Sequence, residues 1–187
     1  MTSAPNDPET LRARLEHAAP ATAGRREPVD CGHYDIRVAR DGSWYYRGSR
    51  IGRKPLVTLF SSVLHRASDG GFWLVTPAEK GRIDVDDAPF VAVELFVQGK
   101  GGDQTLSVRT NLDEIVTIGA EHPLRVEFDT ATGEPSPYVM VRDGLDALVS
   151  RSVYYELVET GVERPDGSFG VWSGGMFFVL GDTGDGT

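Results

Sequence analysis

The stretches DGGFWLV (Asp69–Val75) and DGSFGVW (Asp166–Trp172) decide how this chain is read. Each opens on an Asp-Gly pair, whose glycine supplies the positive φ of a tight turn, and runs into a short apolar strand. The two words match at one constant offset, and what precedes them matches too. IRV at 36–38 answers LRV at 124–126, and WYYR ending at Arg47 answers YVMVR ending at Arg142. Leu56, Leu59 and Phe60 answer Leu145, Leu148 and Val149. Strand, hairpin, strand, helix, Asp-Gly turn and strand therefore occur twice in the same order, the signature of an internal duplication. Two unrelated α+β units that share common turn chemistry are the other reading of the same pattern.

Working outward, YDIRVAR from Tyr34 alternates apolar and polar residues as a half-buried strand does, and Asp41-Gly42 turns it into SWYYR. Pro55 suits the start of a helix running to about Arg66, with Leu56, Leu59, Phe60, Val63 and Leu64 on one face and Thr58, Ser61, Ser62 and His65 opposite. FWLVT, GRIDV, FVAVELFVQ, QTLSVRT and IVTI follow as strands, with GKGGD as a hairpin tip. PLRVEF and YVMVR form a further hairpin. A second helix is expected from about Gly144 to Val158, with Asp143 placed to cap it and Gly161 to stop it. FGVW and MFFVL end the body. Tyr154 lies opposite Leu145 on that helix, so the helix is expected to be apolar on two sides and Tyr154 buried with its hydroxyl bonded. Glu156 falls on its core-facing arc.

The body divides into an N-terminal α+β subdomain at 29–87 and a C-terminal one at 88–181. Residues 1–28 read as a mobile tail with a short helix at best, and 182–187 as a disordered end. Forty percent hydrophobic and 25% charged residues suit a folded core. No apolar run approaches the roughly 20 residues of a membrane span, and the N-terminus has no apolar segment of a secretory signal. One cysteine cannot form an internal disulfide, which fits a reducing cytoplasm. A net charge of −9 argues against binding a nucleic acid polymer.

The chemistry-bearing motifs are sparse. No nucleophile elbow, HExxH, CxxC pair or Walker loop is present, so a hydrolase is the weakest functional class. The four histidines share no ligand spacing, and Cys31-Gly32-His33 is at most half a metal site, so neither metal nor cofactor is expected. The same pair could form a redox-responsive thiol, although a lone cysteine beside a strand is commonly packing. The sharpest anomaly is RGSRIGRK (47–54): four cations in eight positions, in a stretch free of Asp and Glu from Gly42 to Ser68. Arg50, Arg53 and Lys54 precede or open the first helix, where unpaired N–H groups and the helix dipole favour an anion. A solvated turn answered by carboxylates elsewhere, such as Asp84, Asp86 or Asp87, is the competing reading.

The words CGHYDIRVARDGSWYYRGSRIGRK, WLVTPAEKGRIDVDDAPFVAVEL and HPLRVEFDTATGEPSPYVMVRDGLDALVSRSVYYELVE resemble a bacterial family, the domain of unknown function numbered 1285. The similarity runs from Asp30 to Gly181. The resemblance implies a duplicated α+β core, a C-terminal half loosely like a pleckstrin-homology domain, and a small-molecule, nucleotide-like site between the halves with a role in signalling. It carries over no catalytic residue. In that light Lys80 and Arg82, in the charged hairpin TPAEKGRIDVDD, would face an anion in the groove between the halves. The expected ligand contacts are Arg47, Arg50, Arg53, Lys54, Lys80, Arg82, Arg109, Arg142 and Tyr154. The expectation is a non-enzymatic, cytoplasmic regulatory module for a small anionic ligand; the alternative is an adapter that binds a protein through the pleckstrin-homology-like half.

Overall fold

The computed structural model describes residues 27–182 together with Glu9, Arg12 and Ala13. The expected tail at 1–26, apart from those three residues, and the expected end at 183–187 lie outside the described residues. The chain divides between Asp87 and Ala88 into two compact units. No helix among the described residues is long and apolar enough to cross a membrane.

The N-terminal unit runs β1 (Val29–Val38), β2 (Trp44–Tyr46), β3 (Ser49–Arg50), α1 (Lys54–Ser62), β4 (Leu64–Arg66), β5 (Phe72–Val75) and β6 (Glu79–Val85). These strands make one six-stranded sheet in the order β3-β2-β1-β6-β5-β4. Two antiparallel meanders are joined by one parallel pairing, β1 with β6. The alternation reads directly: Tyr34, Ile36 and Val38 of β1, Trp44 and Tyr46 of β2, Leu74 of β5 and Ile83 of β6 are buried. Arg37, Tyr45, Trp73, Arg82 and Asp84 take the other face of the pleat. Leu56, Val57 and Phe60 of α1 are buried, and the Phe60 ring stacks on Trp44 with centroids 6.2 Å apart, which seats α1 on the apolar face.

The first helix is shorter than its apolar spacing suggests. It stops at Ser62, and Leu64–Arg66 pairs with β5 as β4. Ser61, expected on the polar side, is buried, with its hydroxyl donating to the Thr58 carbonyl at 2.8 Å. Lys80 and Arg82 both lie on strand β6, so the expected strand at GRIDV begins two residues earlier, at Glu79.

The C-terminal unit begins with β7 (Phe90–Gln98), β8 (Thr105–Thr110) and β9 (Ile115–Thr117), a single 3₁₀ turn at Gly101–Asp103 forming the expected hairpin tip. Then come β10 (Leu124–Phe128), β11 (Pro135–Arg142), β12 (Leu145–Val149), α2 (Arg151–Glu159), β13 (Val162–Glu163), β14 (Ser168–Ser173) and β15 (Met176–Asp182). One sheet has the order β10-β11-β12-β7-β8-β9, with β12 and β7 parallel; β13-β14-β15 is a second, antiparallel sheet. That second sheet is fastened by polar contacts: Gln104 Nε2 donates to the Trp172 carbonyl at 2.8 Å, and the buried Ser173 hydroxyl donates to the Ile118 carbonyl at 2.6 Å.

The expected helix at 144–158 is corrected here. Leu145, Ala147 and Val149 are buried alternately as β12, and the helix starts only at Arg151. A short apolar run fits both periods, and here the strand wins because β11 and β7 flank it on both sides. Asp143 therefore sits in the β11–β12 turn and caps no helix; the N-cap is Ser150. Glu156 is exposed rather than core-facing. Tyr154 is half-buried rather than enclosed.

With that correction the duplication sharpens. Helix α1 (54–62) maps onto α2 (151–159), Asp69 onto Asp166 and β6 (79–85) onto β15 (176–182), always at an offset of 97 (151 minus 54, 166 minus 69, 176 minus 79). Cross-strand registers follow: Trp73–Arg82, Leu74–Gly81 and Val75–Lys80 correspond to Gly170–Val179, Val171–Phe178 and Trp172–Phe177. Each repeat is a three-stranded meander, a helix and a second meander. The helix anchors Leu56 and Phe60 thus match Val153 and Leu157, not Leu145, Leu148 and Val149. The β2–β3 turn, Arg47-Gly48, matches the β11–β12 turn, Asp143-Gly144, so Arg142 answers Tyr46 and not Arg47.

Candidate functional site

The most worked backbone in the molecule is β1. Two register shifts interrupt its pairing with β6, one on each side of His33. Gly32 takes φ +73 and Asp35, a residue with a Cβ, takes φ +53. Such bulges re-aim side chains, and a non-glycine residue in the left-handed region is a strained position that its surroundings must hold. Here the hold is visible: the Asp35 carbonyl accepts the Arg47 amide at 2.9 Å, and the Asp35 amide donates to His33 Nδ1 at 3.0 Å. Arg47 is itself left-handed (φ +47), followed by Gly48 (φ +80), as a two-residue hairpin turn requires.

These devices gather His33, Asp35, Arg37, Arg47 and Asp84, with Ile36, around an open cavity of about 480 Å³. Because His33 Nδ1 accepts an amide, the neutral ring carries its hydrogen on Nε2, which faces Asp84 Oδ2 at 3.3 Å. Arg37 is committed to Asp86 through both carboxylate oxygens, with Nε to Oδ1 at 2.8 Å. That charge-assisted fork raises the arginine and holds the Asp86 carboxyl below the usual carboxylate range. Arg47 is held more loosely. Its Nε lies 3.5 Å from Asp35 Oδ2, and its guanidinium stands 5.2 Å over the Tyr46 ring.

The residues expected from the sequence fall elsewhere, Arg47 excepted. Arg50 lies on β3, exposed. Arg53 is the N-cap of α1 with no side-chain cap bond, and no acid occupies that first turn. Its carboxylate comes from Glu9, not from Asp84, Asp86 or Asp87. Lys54 is the first residue of α1, and Arg53, Pro55, Leu56 and Leu59 border a smaller cavity of about 260 Å³ with Arg12. Lys80 stands 5.7 Å over the Trp73 ring, and Arg82 neighbours Trp73 and His33 across the sheet. In the other unit Arg109 pairs with Glu94 (2.6 Å) and Asp113 (3.0 Å), and Arg142 with Glu114 (3.4 Å) while lying 5.2 Å over Phe90. Burial pushes the Tyr154 hydroxyl above its ordinary value.

His33, Asp35, Arg37 and Asp84 were missed as a set. The available signal was Gly32 inside a strand followed by Asp35 on an alternating run, the mark of a bulge. Cys31 is exposed, its Sγ 3.7 Å from Glu79 Oε2. No group of three or more metal-ligating side chains occurs among the described residues.

Comparison with known proteins follows the division at Asp87. Residues 24–88 match the model "Domain of unknown function (DUF1285), N-terminal domain", and residues 89–180 match "Protein of unknown function (DUF1285), C-terminal domain". The crystal structure of a DUF1285 family protein from Silicibacter pomeroyi DSS-3 is similar at 45% identity and a TM-score of 0.81, over 92% of this chain and 94% of that one. One from Shewanella baltica OS155 is similar at 26% identity and a TM-score of 0.52, over 67% of this chain and 91% of that one. No curated protein matches the chain. Domain order, fold and identity over nearly the whole length agree: the chain belongs to the DUF1285 family.

Proposed function

We propose that the chain is a non-enzymatic regulatory module that binds a small phosphate-bearing molecule, acting in cytoplasmic signalling, with the bulged face of β1 as its site. The observation that carries this reading is the pairing of a strained strand with mixed charge around one cavity: Arg47, Arg37 and His33 beside Asp35 and Asp84. Cations suit a phosphate, and carboxylates suit hydroxyl or amino donors on the same ligand, as a sugar phosphate or nucleoside phosphate offers. Arg47 is the group able to turn, since its present ion pair is long and half-exposed and such pairs are worth little.

The test is a thermal-shift and calorimetric titration with inorganic phosphate, sugar phosphates and nucleoside phosphates on wild type and Arg47→Asn. Asparagine followed by glycine suits the left-handed turn, so the fold is retained. The expected result is a ligand-dependent rise in Tm, equivalent to about 2.7 kcal/mol at a hundredfold excess over Kd, lost in the variant. Binding that Arg47→Asn leaves untouched, or no binding at millimolar ligand, overturns the reading.

A second reading, an adapter that binds a protein through the C-terminal unit, is favoured by one observation. Tyr155, Val162 and Val179 are exposed there, where the first repeat has Thr58, His65 and Arg82 at the same offset of 97 (155 minus 58, 162 minus 65, 179 minus 82). Tyr155→Arg should abolish capture of such a partner without lowering Tm.

A further inference from the structure

The second repeat shows what the first one lacks. In the C-terminal unit, β12 leaves the Asp143-Gly144 turn and has β7 along its outer edge in parallel: Ala147, Leu148 and Val149 face Phe90, Val91 and Ala92. The Ser150 amide extends that ladder to the Ala92 carbonyl at 3.0 Å. In the N-terminal unit the corresponding run leaves the Arg47-Gly48 turn as β3 and reaches Arg53 in extended backbone (φ −89, ψ 98). On its inner side it pairs with β2: Ser49 faces Tyr46, Arg50 faces Tyr45, and the Ile51 amide donates to the Trp44 carbonyl at 2.8 Å. Among the described residues its outer side is the end of the sheet. Antiparallel pairing alternates, so Ser49 and Ile51 turn their backbone groups to β2 while Arg50 and Gly52 turn theirs outward. Arg50, Gly52 and Arg53 are exposed, and a Cβ built on Gly52 would meet nothing within 4 Å.

The geometry points to this edge as a docking strand for an extended acidic peptide of another protein, added parallel to β3 as β7 is added to β12. The backbone of the edge supplies the hydrogen bonds and the side chains supply the sign. Arg47, Arg50, Arg53 and Lys54 line the run, and no Asp or Glu occurs between Gly42 and Ser68. A carboxylate from outside the stretch, that of Glu9, already reaches Arg53. A second copy fits poorly, because two such edges would bring like charges together, and a short cationic edge resists self-pairing. On this inference the cationic stretch is more than an idle turn. It is an open strand edge carrying the sign of its partner, and this inference stands apart from the small-ligand reading at β1.

The experiment uses the full chain and a labelled peptide of about eight residues alternating glutamate and valine, followed by fluorescence anisotropy at low salt. Amide hydrogen exchange is read at Arg50, Gly52 and Arg53 in parallel. The expected result is saturable binding, weakened about tenfold or more by Arg50→Glu with Arg53→Glu, and slowed exchange at Arg50 and Gly52. The same peptide N-methylated at alternate residues keeps its charge and loses its strand donors, and should not bind. Equal binding of the methylated peptide, unchanged exchange at Arg50 and Gly52, or no binding at millimolar peptide overturns the inference. Self-association of the chain that protects the same amides assigns the edge to a second copy and overturns it as well.

Discussion

The two repeats are the same scaffold solved twice, and they differ in what they do with it. Both put two apolar residues four apart on the helix, Leu56 and Phe60 in one and Val153 and Leu157 in the other, all buried. Both turn at Asp-Gly into the central strand of the second meander. In the first repeat β6 returns to pair with β1 and closes a sheet. In the second, the β14–β15 ladder shifts register between Phe169 and Gly170, with Leu180 the extra residue on β15, and β15 lies against β10 without a ladder, Gly181 beside the Phe128 ring. What the pair teaches is that the helix and the register of the second meander belong to the whole repeat, while the pairing between the meanders is free to change: β1 and β6 pair in parallel, and β12 takes β7 instead.

The largest expected effect tests that shared anchor. Phe60→Ala removes a fully buried ring stacked on Trp44 and should cost about 3–5 kcal/mol; Leu157→Ala, its equivalent, should cost about 2–5 kcal/mol. Urea unfolding of each variant gives the numbers. A loss below about 1 kcal/mol at either position would break the equivalence of the two helices.

A smaller effect sharpens the way each repeat fills the same interior point. Position 81 in the first repeat is glycine, with the Tyr34 ring so close that an added Cβ would lie 2.4 Å from it. The equivalent residue in the second repeat is Phe178, itself buried (178 minus 81 is 97). One repeat reaches across from a neighbouring strand; the other fills the space from the strand itself. Gly81→Ala should therefore destabilise by about 1–3 kcal/mol, since a buried ring and not a flexible end must move. Adding Tyr34→Leu should return part of the loss, a coupling that denaturation of both single variants and the double variant measures. Additive losses would mean the two residues do not share the space.

What the sequence made legible was local. The Asp-Gly turns, the alternation of Tyr34, Ile36 and Val38, and the match of FWLV to FGVW each lie within a few residues, and each element type followed. Leu145–Val149 was misread because a five-residue apolar run satisfies both periods, and its partners β11 and β7 are distant in sequence. The parallel β1–β6 pairing has no local signal at all. The candidate site was legible only at Arg47. Its companions depend on bulges at Gly32 and Asp35, and Asp84 arrives from a strand some 50 residues on, so no spacing rule could gather them.

The smallest expected effect concerns the Asp-Gly turns themselves. Asp69 Oδ1 accepts the Gly71 amide at 2.8 Å, and Asp166 Oδ1 accepts the Ser168 amide at 3.0 Å. The difference is the residue two places on: Ser168 also donates its hydroxyl, at 2.5 Å, where Gly71 has none to give. That hydroxyl first, then the amide, with Arg164 adding attraction, hold the Asp166 carboxyl below the usual carboxylate range. A folded value below the unfolded one means the ionised group stabilises the fold above the unfolded pKa of about 3.9, and that contribution is lost as pH falls through the lower folded value. Asp166→Asn keeps an oxygen for the amide and removes the charge. It should lower Tm slightly at about pH 7, and the gap to wild type should close as pH falls toward about 3. Asp69→Asn takes the charge from one hydrogen bond instead of two, so its effect at neutral pH should be the smaller of the two. Thermal melts of both variants across that range decide the matter: a gap for Asp166→Asn that stays constant with pH would show that the serine hydroxyl does not distinguish the two turns.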